Sequence, residues 1–444
     1  RQIMKTAADV LNKPFHSNFL KLIFAGSLVG IFTGLVVSLF RWIIDQTLAG
    51  LQIIYPAMAQ HHWWILAYAG LTIIICLVLG YVIHPFQTDL VGSGVPQIEA
   101  ILAGQHTMNW AQVLWRKFIG GLLAICPGLF LGREGPCIQM GAAIGQGFSE
   151  HFFHNNRDIT RTLLSCSIAA GLSAAFSAPL AGTMFLLEEI VFHFQPQIWL
   201  TALAAAICSD AVTVCFFGTK PCLFLPITSN LPVHSYPIMI ILGIILGVCA
   251  YGYQYCLLNL RWWFSKIRQI PTQYHSIFPL LLIIPVGLWQ PKILGGSHIL
   301  INYLVAKVTH VGMHNYSQLI MYLLIFLVIR FVWSMLSYGA TVPGGIFMPI
   351  LVLGALLGCI SAPLMIQTNV IPATDFINII AFSMAAYFGA IEHAPFTAIL
   401  LITEMVGSIE QILPMTIMTF VAYIVNDLLG GRPIYTALRE EIFA

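Results

Sequence analysis

The chain has 444 residues, of which 59% are hydrophobic and only 8% are Asp, Glu, Lys or Arg, and its formal net charge is +2. A soluble globular domain carries about 25% charged residues, so this composition excludes a water-soluble fold and predicts an all-α polytopic protein of the lipid bilayer. The small net charge and the scattered basic residues also exclude nucleic acid as a partner.

The chain begins with a short basic segment followed by a long apolar run. Residues 1–20 contain three basic residues and one acidic residue, and 22–40 are free of charge over a length that spans the hydrocarbon. Because cytoplasmic flanks of membrane helices are enriched in Lys and Arg, we predict a cytoplasmic N-terminus.

The later apolar runs do not resemble uniform membrane spans. Residues 163–187, 221–260 and 331–374 lack Asp, Glu, Lys and Arg, but Gly and Pro interrupt the chain repeatedly. This pattern favours broken or re-entrant helices, which occur where irregular backbone is shielded from lipid or lines a cavity.

Two parts of the chain share a weak internal repeat. A shift of 213 residues aligns Lys117 with Arg330, Gly132 with Gly345, Pro136 with Pro349, Gly141 with Gly354 and Gly145 with Gly358. A shift of 216 aligns Ala174, Ala178, Pro179 and Glu188 with Ala390, Ala394, Pro395 and Glu404. We therefore predict a cytoplasmic segment at 1–20, a first transmembrane half at 21–215, a connection at 216–229 and a second half at 230–444. The residues alone leave open whether the halves are parallel or inverted.

Three stretches combine Gly and Pro directly before an apolar run, at 92–96 (GSGVP), 132–136 (GREGP) and 344–349 (GGIFMP). Pro is tolerated in the first turn of a helix, and Gly lets bare N–H groups approach a ligand. Helix starts that converge inside the membrane would attract a small anion through their dipoles. The alternative is that each stretch is an ordinary kink in a membrane helix.

Glu134 lies inside one of these stretches, where a charge is costly. A carboxylate there can occupy the positive helix ends as a tethered substitute for an anion and leave when it is protonated, which would couple a proton to anion movement. The aligned residue is Phe347, so only one half would supply this gate. The alternative is a structural ion pair with the adjacent Arg133.

Glu188 and Glu189 end an uncharged run. Since Glu188 aligns with Glu404, we assign it a structural role, whereas Glu189 aligns with Met405 and is the candidate proton site. We also expect Glu99 to pair with Lys117.

The polar groups elsewhere are less specific. Ser93 and Tyr435 could ligate an anion, although a helix cap and an interfacial aromatic are the alternatives. We interpret the histidines, such as His61 and His62, as residues at the membrane edge and predict no metal site. The ten cysteines contain no CxxC pair and indicate no disulfide framework.

Taken together in chain order, the motifs resemble those of the CLC chloride channel/transporter family, especially its bacterial proton-coupled exchangers. The resemblance covers about residue 20 to the end of the chain and implies two inverted-topology halves of tilted and broken helices. It also implies a homodimer with one pore in each subunit, in the cell inner membrane. The motifs are GSGVP, GREGP, the Glu188 and Glu189 pair, GGIFMP and the GGRPIYTAL stretch at 430–438.

The resemblance also assigns roles to individual residues. The hydroxyls of Ser93 and Tyr435 and the amides of Ile346 and Phe347 would bind the central chloride. The backbone of Arg133, Glu134 and Gly135 would add to the anion site. Glu134 would be the gating glutamate and Glu189 the internal proton-transfer glutamate.

The sequence thus favours a proton/chloride antiporter that carries these two ions and needs no cofactor, and is not an enzyme. A passive chloride channel of the same fold is the nearest alternative. An intramembrane hydrolase is excluded because the turn at Ser93 lacks the GxSG pattern, with Val91 in place of Gly, and HExxH is missing. A cation antiporter would need acids where this chain has Gly and hydroxyls.

Overall fold

The computed structural model describes residues 17–154, 156–192, 194–223, 225–227, 229–267, 269–310, 316–408 and 410–443. Most of the predicted cytoplasmic segment, 1–16, lies outside these residues, and 17–20 already belong to the first helix.

The first half of the described chain consists of helices of very different length. They are α1 (Ser17–Gln60), α2 (His62–Ile83), α3 (Gln87–Leu90), α4 (Val95–Leu102), α5 (Trp110–Ile125), α6 (Glu134–Phe152), α7 (Arg157–Phe176), α8 (Pro179–Phe185) and α9 (Pro196–Phe217). A 3₁₀ turn at His84–Phe86 joins α2 to α3, and a π-helical turn at Leu186–Val191 extends α8.

The second half repeats this mixture of long and short helices. They are α10 (Tyr236–Leu258), α11 (Leu260–Phe264), α12 (Ile277–Trp289), α13 (His298–His310), α14 (Tyr316–Gly339), α15 (Phe347–Gln367), α16 (Phe376–Glu392), α17 (Pro395–Val406), α18 (Ile412–Leu428) and α19 (Ile434–Phe443). Short 3₁₀ turns occur at Val233–Ser235, Thr272–Tyr274, Pro291–Ile293 and Ala373–Asp375.

Nine helices within the described residues are long and apolar enough to cross a membrane. Helices α7, α15 and α16 are mostly buried inside the protein, whereas about a third or less of α2, α9 and α14 is buried. An inner set of helices is therefore surrounded by an outer set that suits lipid. This arrangement confirms the predicted all-α polytopic fold.

The two halves pack in the same way. Helix α7 contacts α6, α8 and α9, and α9 also contacts α1; correspondingly, α16 contacts α15, α17 and α18, and α18 also contacts α10. Ser177 and His393, which the shift of 216 aligns, both end their helices with a left-handed backbone at φ = 56°. The common packing supports the repeat that the sequence predicts.

Glycine allows the closest helix crossings in both halves. A Cβ at Gly30 of α1 would collide with the backbone of Ala205 in α9. In the second half, a Cβ at Gly247 of α10 would lie 2.7 Å from the carbonyl oxygen of Ala422 in α18. Small residues at such crossings let membrane helices approach each other to backbone contact.

We therefore expect Gly30→Val to separate α1 from α9 and to lower stability by about 1–3 kcal/mol, as overpacking does. Gly70→Val in α2 is the control, because a Cβ there meets no atom within 4 Å. Thermal unfolding of the detergent-purified protein would show a lower midpoint for the first variant only. Equal midpoints for the two variants would contradict the tight crossing.

Candidate functional site

Three glycine-rich stretches meet in the interior through main-chain hydrogen bonds. Gly132 and Gly345 exchange two N–H···O bonds of 2.7 Å in an antiparallel bridge. Gly92 donates to the carbonyl oxygen of Val342 at 3.0 Å and accepts from the amide of Gly344 at 3.0 Å. The N-terminal ends of α4, α6 and α15 therefore converge, as the sequence predicts, and bring unpaired N–H groups and positive dipole ends to one region.

The antiparallel bridge also bears on the orientation of the halves. Helices α6 and α15 each begin two residues after their bridge glycine, at Glu134 and Phe347. Because the chain directions at the bridge are opposite, the aligned helices leave it with opposite sense. This is the relation of inverted repeats.

Two glycines are required at this junction, one for its backbone conformation and one for a close contact. Gly94 precedes α4 with φ = +88°, a left-handed conformation that disfavours other residues. A Cβ at Gly135 would lie 2.7 Å from the Cα of Ser93 and 2.8 Å from its carbonyl oxygen. The Ser93 turn therefore lies directly against the first turn of α6.

Two buried hydroxyl groups lie near the junction. Ser93 is fully buried, and its Oγ accepts a hydrogen bond from the Val95 amide at 3.3 Å. Tyr435, in the first turn of α19, is also fully buried, with its ring centroid 6.3 Å from that of Phe185. The Phe185 ring lies 6.0 Å from Phe347. One aromatic ring thus links Tyr435 to the start of α15.

The amides at the start of α15 are the second kind of anion ligand that the sequence predicts. Ile346 is the N-cap residue and Phe347 the first helical residue, and both are buried. The corresponding residues of α6 are Arg133, Glu134 and Gly135. Since the first N–H groups of a helix have no intrahelical acceptor, both sets of amides are suited to bind an anion.

Glu134 places its carboxylate between two positive helix ends. The residue is 1% exposed, and its carboxylate interacts with the backbone N–H groups of Glu134 itself and of Met348, in the first turns of α6 and α15. Neither oxygen completes a hydrogen bond of ordinary geometry within the described part of the chain. Electrostatic attraction to Arg133 and to the two helix ends, rather than a fixed hydrogen bond, therefore holds this carboxylate.

Arg133 lies closer to Asp45 and His298 than to the neighbouring Glu134 carboxylate. Its Nη1 donates to Asp45, its Nη2 lies 3.1 Å from Nε2 of His298, and its Nε lies 4.0 Å from Glu134. These four residues and Arg41 help to line a cavity of about 320 Å³. Asp45 is therefore the closer carboxylate partner of Arg133, and Glu134 is the more distant one. The cavity provides a polar approach to the Glu134 carboxylate.

Glu188 and Glu404 cap helices of the opposite half. The Glu188 carboxylate accepts from the amides of Phe396 and Thr397 at 3.1 and 2.7 Å, at the start of α17. The Glu404 carboxylate accepts from the amides of Leu180 and Ala181 at 3.0 and 2.7 Å, at the start of α8. The structural role predicted for Glu188 agrees with this reciprocal contact, which stabilises both helix ends.

Glu189 has entirely different surroundings, although it is the next residue. It lies on the π-helical turn and is 1% exposed, and its Oε1 has no hydrogen bond within the described residues. Its carboxylate interacts electrostatically with those of Glu392 and Glu99. A π-helical turn interrupts regular helix geometry and often marks a functional position.

The expected pairing of Glu99 with Lys117 is wrong. Lys117 is buried and its Nζ donates to the carbonyl oxygens of Leu90 and Gly92 at 2.9 and 2.8 Å. Glu99 instead lies 3.6 Å from Arg439 in α19. The turn before α4 offers two carbonyl groups to the ammonium group, so Lys117 binds this turn rather than the helix that follows it.

Arg330, which the repeat aligns with Lys117, binds carbonyl groups in the same way. It donates to the backbone oxygens of Ile293, Gly295 and Gly296 at 2.9, 2.6 and 3.1 Å. Both buried cations therefore fix irregular backbone segments.

Sequence reasoning missed several residues near the site. Asp45 and His298 contact Arg133 from distant parts of the chain, and only the charged pair of Arg41 and Asp45 within a long apolar helix could have drawn attention to Asp45. Tyr338 lies against the Gly92 and Ser93 turn without any recognisable motif. Glu392 could have been noticed as a single acid within the apolar run before Pro395.

The histidines singled out from the sequence lie away from this region. His61 and His62 are exposed, as are His151 and His154. Within the described ranges, no group of three or more His, Cys, Asp and Glu side chains is arranged to hold a metal ion.

Comparisons with known proteins place this geometry in context. A family model described as voltage gated chloride channel matches residues 75–427. The H(+)/Cl(-) exchange transporter ClcA of Klebsiella pneumoniae subsp. pneumoniae is 31% identical over 439 residues, covering 96% of this chain and 89% of that protein. The protein of the same name from Vibrio cholerae serotype O1 is 31% identical over 469 residues, covering 98% and 93%.

Solved structures show the same architecture. The structure of a slow cyanobacterial Cl⁻/H⁺ antiporter matches with a TM-score of 0.87 at 28% identity, covering 95% of this chain and 98% of that chain. A CLC-type fluoride/proton antiporter matches with a TM-score of 0.73 at 20% identity, covering 94% and 98%, and this likeness concerns the fold alone.

The adjacent Glu188 and Glu189 provide a matched test of the two assigned environments. Glu188→Gln removes a negative charge that caps α17, so we expect a loss of about 1 kcal/mol and a lower thermal midpoint in detergent. Glu189→Gln replaces a buried carboxyl group that caps no helix, so we expect an unchanged or higher midpoint. The opposite order of the two midpoints would contradict the assignment.

Proposed function

The chain belongs to the voltage gated chloride channel family, and we propose that it is a secondary active antiporter that exchanges chloride for protons across the membrane. The observation that carries this proposal is the buried Glu134 carboxylate between the N-terminal ends of α6 and α15. A titratable side chain at an anion-attracting position links the movement of the two ions. The names of the exchangers similar to this chain support chloride and protons as the transported pair.

In the proposed mechanism, chloride binds where the three helix starts converge. The hydroxyls of Ser93 and Tyr435 and the amides of Ile346 and Phe347 donate to it. The backbone of Arg133, Glu134 and Gly135 adds donors on the side of the cavity. Helix dipoles and bare N–H groups stabilise the anion without a mobile cation that would hold it too tightly.

Glu134 is the gate in this mechanism. As a carboxylate it competes with chloride for the positive helix ends, and as a carboxylic acid it loses that attraction and makes room for the anion. Glu189 exchanges protons on the other side of the site. Its carboxyl group is buried near Tyr435 and, unlike that of Glu188, does not cap a helix. A passive chloride channel of the same fold would need neither proton step.

The protein would work without a cofactor, because the exchange of two ions needs no redox or group-transfer chemistry. We place it as a homodimer in the cell inner membrane, with the N-terminus cytoplasmic. The bacterial origin of the similar exchangers supports the membrane. Exposed apolar side chains on four neighbouring helices of both halves support the dimer contact: Leu180, Ile207, Phe396, Leu413 and Phe420.

The test is simultaneous recording of chloride efflux and external pH from chloride-loaded liposomes that contain the purified protein. In the parent protein, we expect a chloride gradient to drive protons uphill. In Glu134→Ala and in Glu189→Gln, proton movement should fall to background while chloride still flows, because each variant lacks one proton acceptor.

Glu440→Gln is the control, because Glu440 is half exposed on α19 and pairs with Arg432 at 2.6 Å. It should retain both fluxes. Chloride movement without protons in the parent protein would replace the antiporter with the passive channel and would return Glu189 to a structural role.

A further inference from the structure

Glu392 is a buried carboxylate that pairs with no main-chain amide and no cation within the described residues. It is the last residue of α16 and is fully buried, and neither of its oxygens has a hydrogen bond of ordinary geometry within the described residues. The other capping carboxylates, Glu188 and Glu404, each accept from two main-chain amides. An uncompensated carboxylate at this depth is costly, so its presence calls for a functional explanation.

Its nearest polar surroundings are acids and hydroxyl groups. The carboxylate interacts with the hydroxyl of Tyr435 and electrostatically with the carboxylates of Glu99 and Glu189. Of these acids, Glu99 has a cation close by, Arg439 at 3.6 Å. The groups that face Glu392 come from five elements and are Glu99 of α4, Glu189 of the π-helical turn, Tyr253 of α10, Tyr338 of α14 and Tyr435 of α19.

This set connects two sites that the transport cycle must join. Glu392 interacts both with Glu189 and with Tyr435, whose hydroxyl is a proposed chloride ligand. Two neighbouring carboxyl groups without a dedicated cation are most stable when they share a proton. A proton can therefore move from one to the other without creating a new separated charge.

The repeat gives an independent indication that Glu392 does not belong to the common fold plan. The shift of 216 aligns it with Phe176, and the left-handed residues that follow, Ser177 and His393, confirm the register in space. Glu134 and Glu189 are likewise acids in one half only. By contrast, the capping acids Glu188 and Glu404 occur in both halves.

We propose that Glu392 is a further proton-transfer residue, which relays protons between Glu189 and the anion site. In the first step the carboxylic acid of Glu189 gives its proton to the Glu392 carboxylate and becomes a carboxylate itself. In the second step Glu392 returns to its carboxylate form and Glu134 becomes a carboxylic acid, with water that enters the anion site carrying the proton between them. Each step moves one proton and needs no further reactant. The inference rests on the proposed exchange and adds one residue to it.

The test uses the full chain in liposomes and measures the ratio of proton to chloride flux. Glu392→Gln keeps the size of the side chain but cannot relay a proton, so we expect the ratio to fall at least about 10-fold while chloride still flows. Glu392→Asp retains a carboxyl group and should recover part of the ratio. The double variant Glu189→Gln with Glu392→Gln should lose no more than Glu189→Gln alone, since both residues act in one path.

Two measurements separate a relay from a structural or purely electrostatic role. Calorimetric chloride binding of Glu392→Gln should remain near that of the parent, and its thermal midpoint should not fall, since the substitution removes a costly buried carboxylate. Infrared difference spectra between acidic and alkaline buffer should lose one carboxyl C=O band in Glu392→Gln, and this readout does not depend on transport.

Several outcomes would overturn the proposal. A parental flux ratio in Glu392→Gln would remove the relay while leaving the exchanger intact, provided that Glu189→Gln is uncoupled in the same assay. Tighter chloride binding with an unchanged ratio would make Glu392 an electrostatic modulator of the anion site. A parent protein that moves chloride without protons would refute the exchange itself, and the relay with it.

Discussion

Two hydrogen bonds of 2.7 Å between Gly132 and Gly345 join the halves of this protein inside the membrane. Unpaired backbone is costly in hydrocarbon, so the irregular segments before α6 and α15 can exist there only because they satisfy each other. The pairing places two helix starts side by side, and the bonds of Gly92 to Val342 and Gly344 add a third. The proposed anion site, the position of Glu134 and the symmetry of the fold all depend on this contact.

The buried cationic side chains are bound to other protein groups and are not available to pair with the transported anion. Lys117 and Arg330 are both fully buried, but their charged groups bind main-chain carbonyl oxygens rather than pointing into the site. Arg133 is engaged by Asp45 and His298. The positive potential at the junction therefore comes mainly from oriented peptide groups, which attract an anion without binding it as firmly as a free cation would.

Much of this arrangement could be predicted from the sequence, because glycine and proline within apolar runs indicate where the helices are interrupted. The convergence of three helix starts followed from the Gly and Pro motifs, and the different environments of Glu188 and Glu189 followed from which acids the repeat leaves unmatched. The predicted pairing of Lys117 with Glu99 was wrong because a buried ammonium group can bind main-chain carbonyl oxygens instead. Any residue supplies such an oxygen, so the sequence does not reveal the partner. Tyr338 and His298 were missed because their contacts join segments far apart in the chain, and no local spacing records such contacts.

The reciprocal caps of Glu188 and Glu404 restrict how the molecule can move. Each half supplies the acceptor for two main-chain N–H groups of the other. A rocking motion of one half against the other would therefore break four hydrogen bonds at once, which is costly in a region without bulk water. The parts left free to move are side chains and the ions themselves. Turnover in such a rigid frame depends on local barriers within one chain, and the surrounding lipid need not rearrange from one cycle to the next.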